Sequence, residues 1–181
     1  MSPDLAHAHR LARGADAAIA VFAYCRAGLH AAVGSRLTTA SVYDLDAMRS
    51  RRVWTDDAAA YPTGNFKRLD RNLYFETVIE RCEPYASTSI EGIQRVFFDW
   101  QKIQALGFES NMNLPAVADG RVIGTLNLLH EKGHYTADKV EAALAWQPVA
   151  TLAFLLLDQM RSEGANFHGR SGGGGGAVME G

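Results

Sequence analysis

The sequence predicts an α+β fold of antiparallel strands covered by helices, and three stretches carry that expectation. The first is a hairpin: β-rich runs at residues 110–117 and 122–129 flank Asp119-Gly120. Asp-Gly between extended runs favours a type I′ turn, because both central residues must tolerate positive φ. The second is an alanine-rich stretch, residues 3–33, where Leu11, Ala15, Ala18, Phe22, Cys25, Leu29 and Val33 recur every three or four positions. That spacing is the apolar stripe of one long helix, which Gly14 and Gly28 weaken without breaking. The third is a closing helix over residues 136–162, with Thr136 at its cap, Asp138 in its first turn and a kink at Pro148. Its segment VATLAFLLL is apolar almost all round, so it must pack on two sides. The first helix, from the same or a second subunit, is the natural second partner.

Between these stretches the elements follow in order. Residues 36–43 (RLTTASVY) and 52–55 (RVWT) have strand composition and are joined by a polar link, as in a second hairpin. Residues 56–71, with Tyr61-Pro62-Thr63-Gly64-Asn65, read as loop. A helix starts at Asn72, places Phe75, Val78, Ile79 and Cys82 on one face, and ends before Pro84. Residues 85–89 are extended; residues 90–98 have no clear period, with Phe97 and Phe98 expected inside. Asp99 caps a short helix that stops before Gly107. In the main hairpin Asn111 and Asn113 share one face and Met112 and Leu114 the other, while Gly124 marks a close approach by another segment or a ligand.

Composition narrows the function. The chain has 181 residues, 18 basic against 20 acidic, and no basic block, which argues against nucleic acid. Cys25 and Cys82 build neither a disulfide framework nor a metal-ligand spacing, so a reducing, cytoplasmic setting is expected. There is no signal-peptide pattern and no apolar run of the roughly 18 residues that a membrane span needs. The organisation expected is an N-terminal helix over residues 1–35, a domain over residues 36–162 and a disordered tail over residues 163–181 with five consecutive glycines.

Residues 36–157 resemble a GAF domain. The likeness rests on Tyr61-Pro62, Leu106-Gly107, Ser110, Leu114-Pro115-Ala116-Val117, Gly120 and Val122-Ile123-Gly124-Thr125-Leu126-Asn127-Leu128. It implies an α/β/α sandwich: a central antiparallel sheet of five to six strands, helices on both faces, a small-molecule pocket on one face, and a dimer through the first and last helices. The special motifs of the family are weak here. Asn65-Phe66-Lys67 only echoes the cyclic-nucleotide signature, and no Asp-Glu pair occurs. Cys25 and Cys82 fall on expected helices, unlike the cysteine that carries a bilin, and Cys82 alone in the domain body does not match the several cysteines of the free methionine-sulfoxide reductases.

The candidate ligand contacts are Trp54, Tyr61, Tyr85 and Trp100 as aromatic walls with polar tips, Ser87 in a hydroxyl cluster, Asp99 beside Trp100, and the amides Asn111 and Asn113. Each has a plainer reading: core packing for the aromatics, loop for Ser87, helix cap for Asp99, backbone bonding for the amides. Cys82, His130, Asp99 and Glu91 are the reactive groups an enzyme would use. The plainer reading of Cys82 is a buried thiol, and that of His130 an exposed loop histidine. His130 and His134 are four apart but not on one helix, and no third ligand stands by, so no metal is expected. The sequence names no particular cofactor and excludes none. A sensory ligand-binding homodimer and a small cytoplasmic enzyme acting on an aromatic or amide-like metabolite are the competing readings.

Overall fold

The computed structural model describes residues 2–159 together with Met179 and Glu180. Six antiparallel strands make the platform: β1 (Leu37–Asp44), β2 (Arg49–Thr55), β3 (Phe66–Arg68), β4 (Tyr85–Ser87), β5 (Ser110–Ala118) and β6 (Arg121–His130). Their spatial order is β4-β5-β6-β1-β2-β3, and at the outer edge Met179–Glu180 (β7) pairs parallel with Phe66 and Lys67. Residues 160–178, including the glycine run read as disordered and the end of the closing helix, lie outside the described residues.

The central hairpin forms as its dipeptide demands. Asp119 and Gly120 take φ of 52° and 67°, and strands β5 and β6 pair along their whole length. One face of this hairpin carries Met112, Leu114, Ala116, Leu126 and Leu128 into the main core. Helices α1 (Leu5–Ala12), α2 (Ala17–Val33), α5 (Ala137–Leu144) and α6 (Gln147–Gln159) cover that face. The opposite face is covered by a π-helix (Phe75–Glu80), α3 (Ile90–Gln94) and α4 (Trp100–Ala105), over two smaller apolar clusters.

Several elements depart from the sequence pattern. The single N-terminal helix is two, broken between Ala12 and Ala17 where Asp16 adopts a left-handed φ of 51°. The closing helix is also two, bent by 55°. Its break falls ahead of Pro148, which then occupies the first turn of α6, where a missing N–H costs nothing. Neither helix alone is long and apolar enough to cross a membrane, nor is any other single helix among the described residues. The presumed loop of residues 56–71 contains β3. The helix at Asn72 is wound as a π-helix: Arg81 N–H reaches back to Glu76 carbonyl, five residues away. It stops at Glu80, so Cys82 lies beyond it at φ 58° instead of on its apolar face.

Gly124 is required by packing. A Cβ there would overlap the ring of Phe154 on α6, so the segment that approaches closely is a helix and not a ligand. Gly28 does the same for Trp146.

Candidate functional site

On the face away from α2 and α6 the sheet floors a cavity of about 90 Å³. The floor is polar because alternate residues of β1, β5 and β6 that point this way are amides and hydroxyls. Asn113 stands opposite Asn127, and Asn127 opposite Thr39, so one rung crosses three strands. Asn111 Nδ2 donates to Asn113 Oδ1 at 2.7 Å, and Asn113 Nδ2 donates to Asn127 Oδ1 at 2.8 Å. Asn127 Nδ2 then donates to the hydroxyls of Thr39 and Ser41, both at 3.2 Å. Thr125 Oγ1 also donates to Asn127 Oδ1 at 2.9 Å, and it lies 2.6 Å from Tyr43 Oη, which in turn meets Tyr74 Oη at 2.6 Å. Burial pushes the Tyr43 phenol up to about 12 and holds the Tyr74 phenol well above its ordinary value, so both act as neutral hydrogen-bonding groups.

The chain of donors leaves one group over. Asn111 is 2% exposed, its Nδ2 is committed to Asn113, and its Oδ1 has no hydrogen-bond partner among the described residues. A buried carbonyl in that condition carries a penalty of about 1–3 kcal/mol until something donates to it. Asn111 is among the residues lining the cavity.

The walls are aromatic and charged. Tyr61, Phe97, Phe98 and Tyr74 line the cavity with Ile103 and Leu129. Arg52, 8% exposed, lies over the Tyr61 ring at 4.6 Å and donates to the Pro62 carbonyl at 2.8 Å. Lys67 on β3 meets Asp99 with Nζ 2.5 Å from Oδ1, an ion pair not aligned as a hydrogen bond, and its ammonium also sits 4.6 Å from the Phe97 ring centre. Asp99 holds the cap position of α4 but makes no capping hydrogen bond; its carboxylate is turned to Lys67 instead.

The structure therefore brings Tyr61, Asp99, Asn111 and Asn113 together around one cavity. The other candidates lie elsewhere, each for a local reason. Trp54 stacks on Phe22 of α2, on the opposite face. Tyr85 is buried against Tyr74 and Phe97 and donates to the Gly92 carbonyl, and Ser87 is tied to the Ser89 carbonyl at 2.8 Å. Trp100 packs beside the Leu37–Ile103 cluster without lining the cavity. Cys82 sits near the Gly120 carbonyl at the hairpin turn, Glu91 is fully exposed, and His130 stacks on His134 at the end of β6, with ring centres 3.3 Å apart. Sequence reading passed over Thr39, Ser41, Tyr43, Arg52, Lys67 and Asn127. Asn127 had a signal, since Thr125 and Asn127 alternate with leucines in β6.

Among the described residues no group of three potential ligands is placed to hold a metal.

The sheet order and the helices on its two faces give the chain a GAF-like fold. The sequence matches no family model and no curated protein. In three dimensions the chain is similar to the GAF domain of a phosphoenolpyruvate-protein phosphotransferase from Coxiella burnetii, with TM-score 0.65, 16% identity, and coverage of 90% of this chain and 95% of that one. It is likewise similar to the GAF domain of a two-component sensor histidine kinase from Bacillus halodurans, with TM-score 0.62, 10% identity, and coverage of 77% and 94%. The GAF domain of the Acinetobacter phosphoenolpyruvate-protein phosphotransferase gives 0.61, 10%, 84% and 90%. At these identities the likeness is one of fold.

Proposed function

We propose that this protein is a sensory module that binds a small molecule in the cavity over Asn111 and acts as a homodimer. The single observation that carries the binding reading is the unpartnered Oδ1 of a 2%-exposed asparagine in an otherwise fully connected amide floor. Buried polar networks are costly when incomplete, and a guest that donates there completes this one. The volume favours a compact guest, because sites for drug-sized ligands typically span ~300–1,000 Å³. Leu5, Ile19, Leu144 and Leu155, exposed large apolar side chains on α1, α2, α5 and α6, support pairing through the terminal helices.

An enzymatic reading keeps only Asp99, since Cys82, His130 and Glu91 lie away from the cavity. Native mass spectrometry and thermal shift against fractionated metabolite extract test the binding reading. A retained small molecule, lost in Asn111→Leu, is the expected result. A protein that carries and binds nothing overturns it.

A further inference from the structure

Strand β3 forms part of the cavity wall, yet little in its own sequence makes it a strand. It spans only Phe66–Arg68, and Lys67 at its centre is a poor strand former. Pairing holds it instead, from both sides. On the inner side Phe66, Lys67 and Arg68 pair with Arg51, Ser50 and Arg49 of β2. On the outer side Phe66 pairs with Met179 and Lys67 with Glu180, in parallel. Without β7 the outer edge of β3 would end the sheet and present unpaired N–H and C=O groups, a template on which another strand adds.

What β3 carries gives this edge its importance. Lys67 and Arg68 line the cavity, as do Phe97, Phe98 and Asp99. Lys67 is ion-paired with Asp99 and lies 4.6 Å from the Phe97 ring centre, while Arg68 lies 4.8 Å from that of Phe98. A shift of β3 therefore carries both parts of this wall with it. Two paired residues make few hydrogen bonds, each of modest net worth, and the entropy of closing the connection through residues 160–178 opposes them. Docked and released forms so lie close to balance. We propose that the outer edge of β3 is a strand-docking edge whose occupant is this chain's own residues 179–180, and that their docking straps the cavity wall in place. Release frees β3 to move with Lys67 and the Phe97–Asp99 side of the wall. A guest held against that wall favours the docked form, and by reciprocity docking tightens guest binding; this last step rests on the binding reading above.

The register supplies the test. Phe66 and Met179 are direct neighbours, within reach of a disulfide between cysteines. In the whole chain carrying Phe66→Cys, Met179→Cys and Cys82→Ser, oxidation locks the strap and reduction releases it, while Cys25 stays buried. Hydrogen exchange read by mass spectrometry follows the wall with no ligand added. On oxidation, exchange over residues 66–70 should slow by about tenfold or more, residues 97–99 should slow with it, and residues 110–118 should not change. Met179→Pro with Glu180→Pro gives the converse, because one of two successive strand residues turns its N–H to β3 and proline has none. Exchange over residues 66–70 should then rise, with circular dichroism unchanged. No disulfide in the folded protein, or exchange over residues 66–70 indifferent to both variants, overturns the strap. Release of the small molecule retained in native mass spectra should slow on oxidation. A release rate that ignores oxidation overturns the coupling to the guest and leaves the strap standing. A protein that retains nothing overturns the binding reading and the coupling together, and the exchange rates still decide the strap.

Discussion

Asn113 faces Asn127 directly across the central hairpin, and the 2.8 Å hydrogen bond between their amides joins two halves of a polar chain that runs from Asn111 to Tyr74. Asn127 is the node: its oxygen accepts from Asn113 and Thr125, and its nitrogen donates to Thr39 and Ser41.

The node makes Asn127 the most sensitive residue of the floor. Asn127→Leu strands four polar neighbours in a buried layer. The expected destabilisation is about 2–4 kcal/mol, read from urea unfolding. A loss below about 1 kcal/mol would show that the chain contributes little net stability.

On the other face the sensitive position is Gly124. Gly124→Ala drives a methyl into the Phe154 ring and should cost about 1–3 kcal/mol in chemical denaturation. Phe154→Leu in the same chain should relieve part of that cost, so the two substitutions couple in a double-mutant cycle. Additivity would mean that the strand, not the ring, absorbs the methyl.

Acid should loosen the end of β6. Burial, then the neighbouring His134 charge, with Lys139 and Arg36 adding to it and Glu131 opposing, lower the His130 pKa from the ordinary 6.5. A folded pKa below the unfolded one means that stability is full above about 6.5 and is lost as pH falls through the folded value. The stacked ring of His134 is the geometric reason, since two imidazolium rings 3.3 Å apart repel. Thermal unfolding at pH 7.5 and 5.5 should show a larger drop for the native chain than for His130→Leu. Equal drops would assign the acid sensitivity to carboxylates elsewhere.

The proposed dimer is tested at Ile19 and Leu155, 51% and 44% exposed on α2 and α6. Ile19→Glu with Leu155→Glu should halve the mass measured by light scattering. Unfolding midpoints at high dilution should move little, because exposed substitutions usually stay within about 0.5 kcal/mol. An unchanged mass places any interface elsewhere.

The sheet and its faces were readable because alternation and turn chemistry are local. Asp119-Gly120, the Asn111/Asn113 and Met112/Leu114 alternation, and the stripe from Ala18 to Val33 all appear in the structure as their spacing predicts. The site was half-hidden by two bulges. A regular ladder from the two-residue turn would set Asn113 opposite Leu126. The irregularity between Ala116 and Val117 shifts it by one, to Asn127. In β2 the slip that pairs Ser41 with Arg52 but Ala40 with Trp54 sends Arg52 to the cavity and Trp54 to the helices, although the two are separated by one residue. Trp54 thus reads as a pocket wall but packs on Phe22, while Arg52, passed over in the sequence, lines the cavity. Lys67 was masked because the short strand that holds it is made by pairing with β2, not by its own composition.

The two thiols offer a route to watching the domain at work. Cys25 is sealed inside α2's packed side, and burial lifts its pKa to about 12, so it yields almost no nucleophilic thiolate at neutral pH. Cys82 is partly open, next to the tip of the central hairpin. A maleimide dye added to the unmodified protein will therefore attach at one place. Its emission will report on whether the hairpin tip shifts when the proposed ligand is added, since the cavity lies at the other end of the same strands.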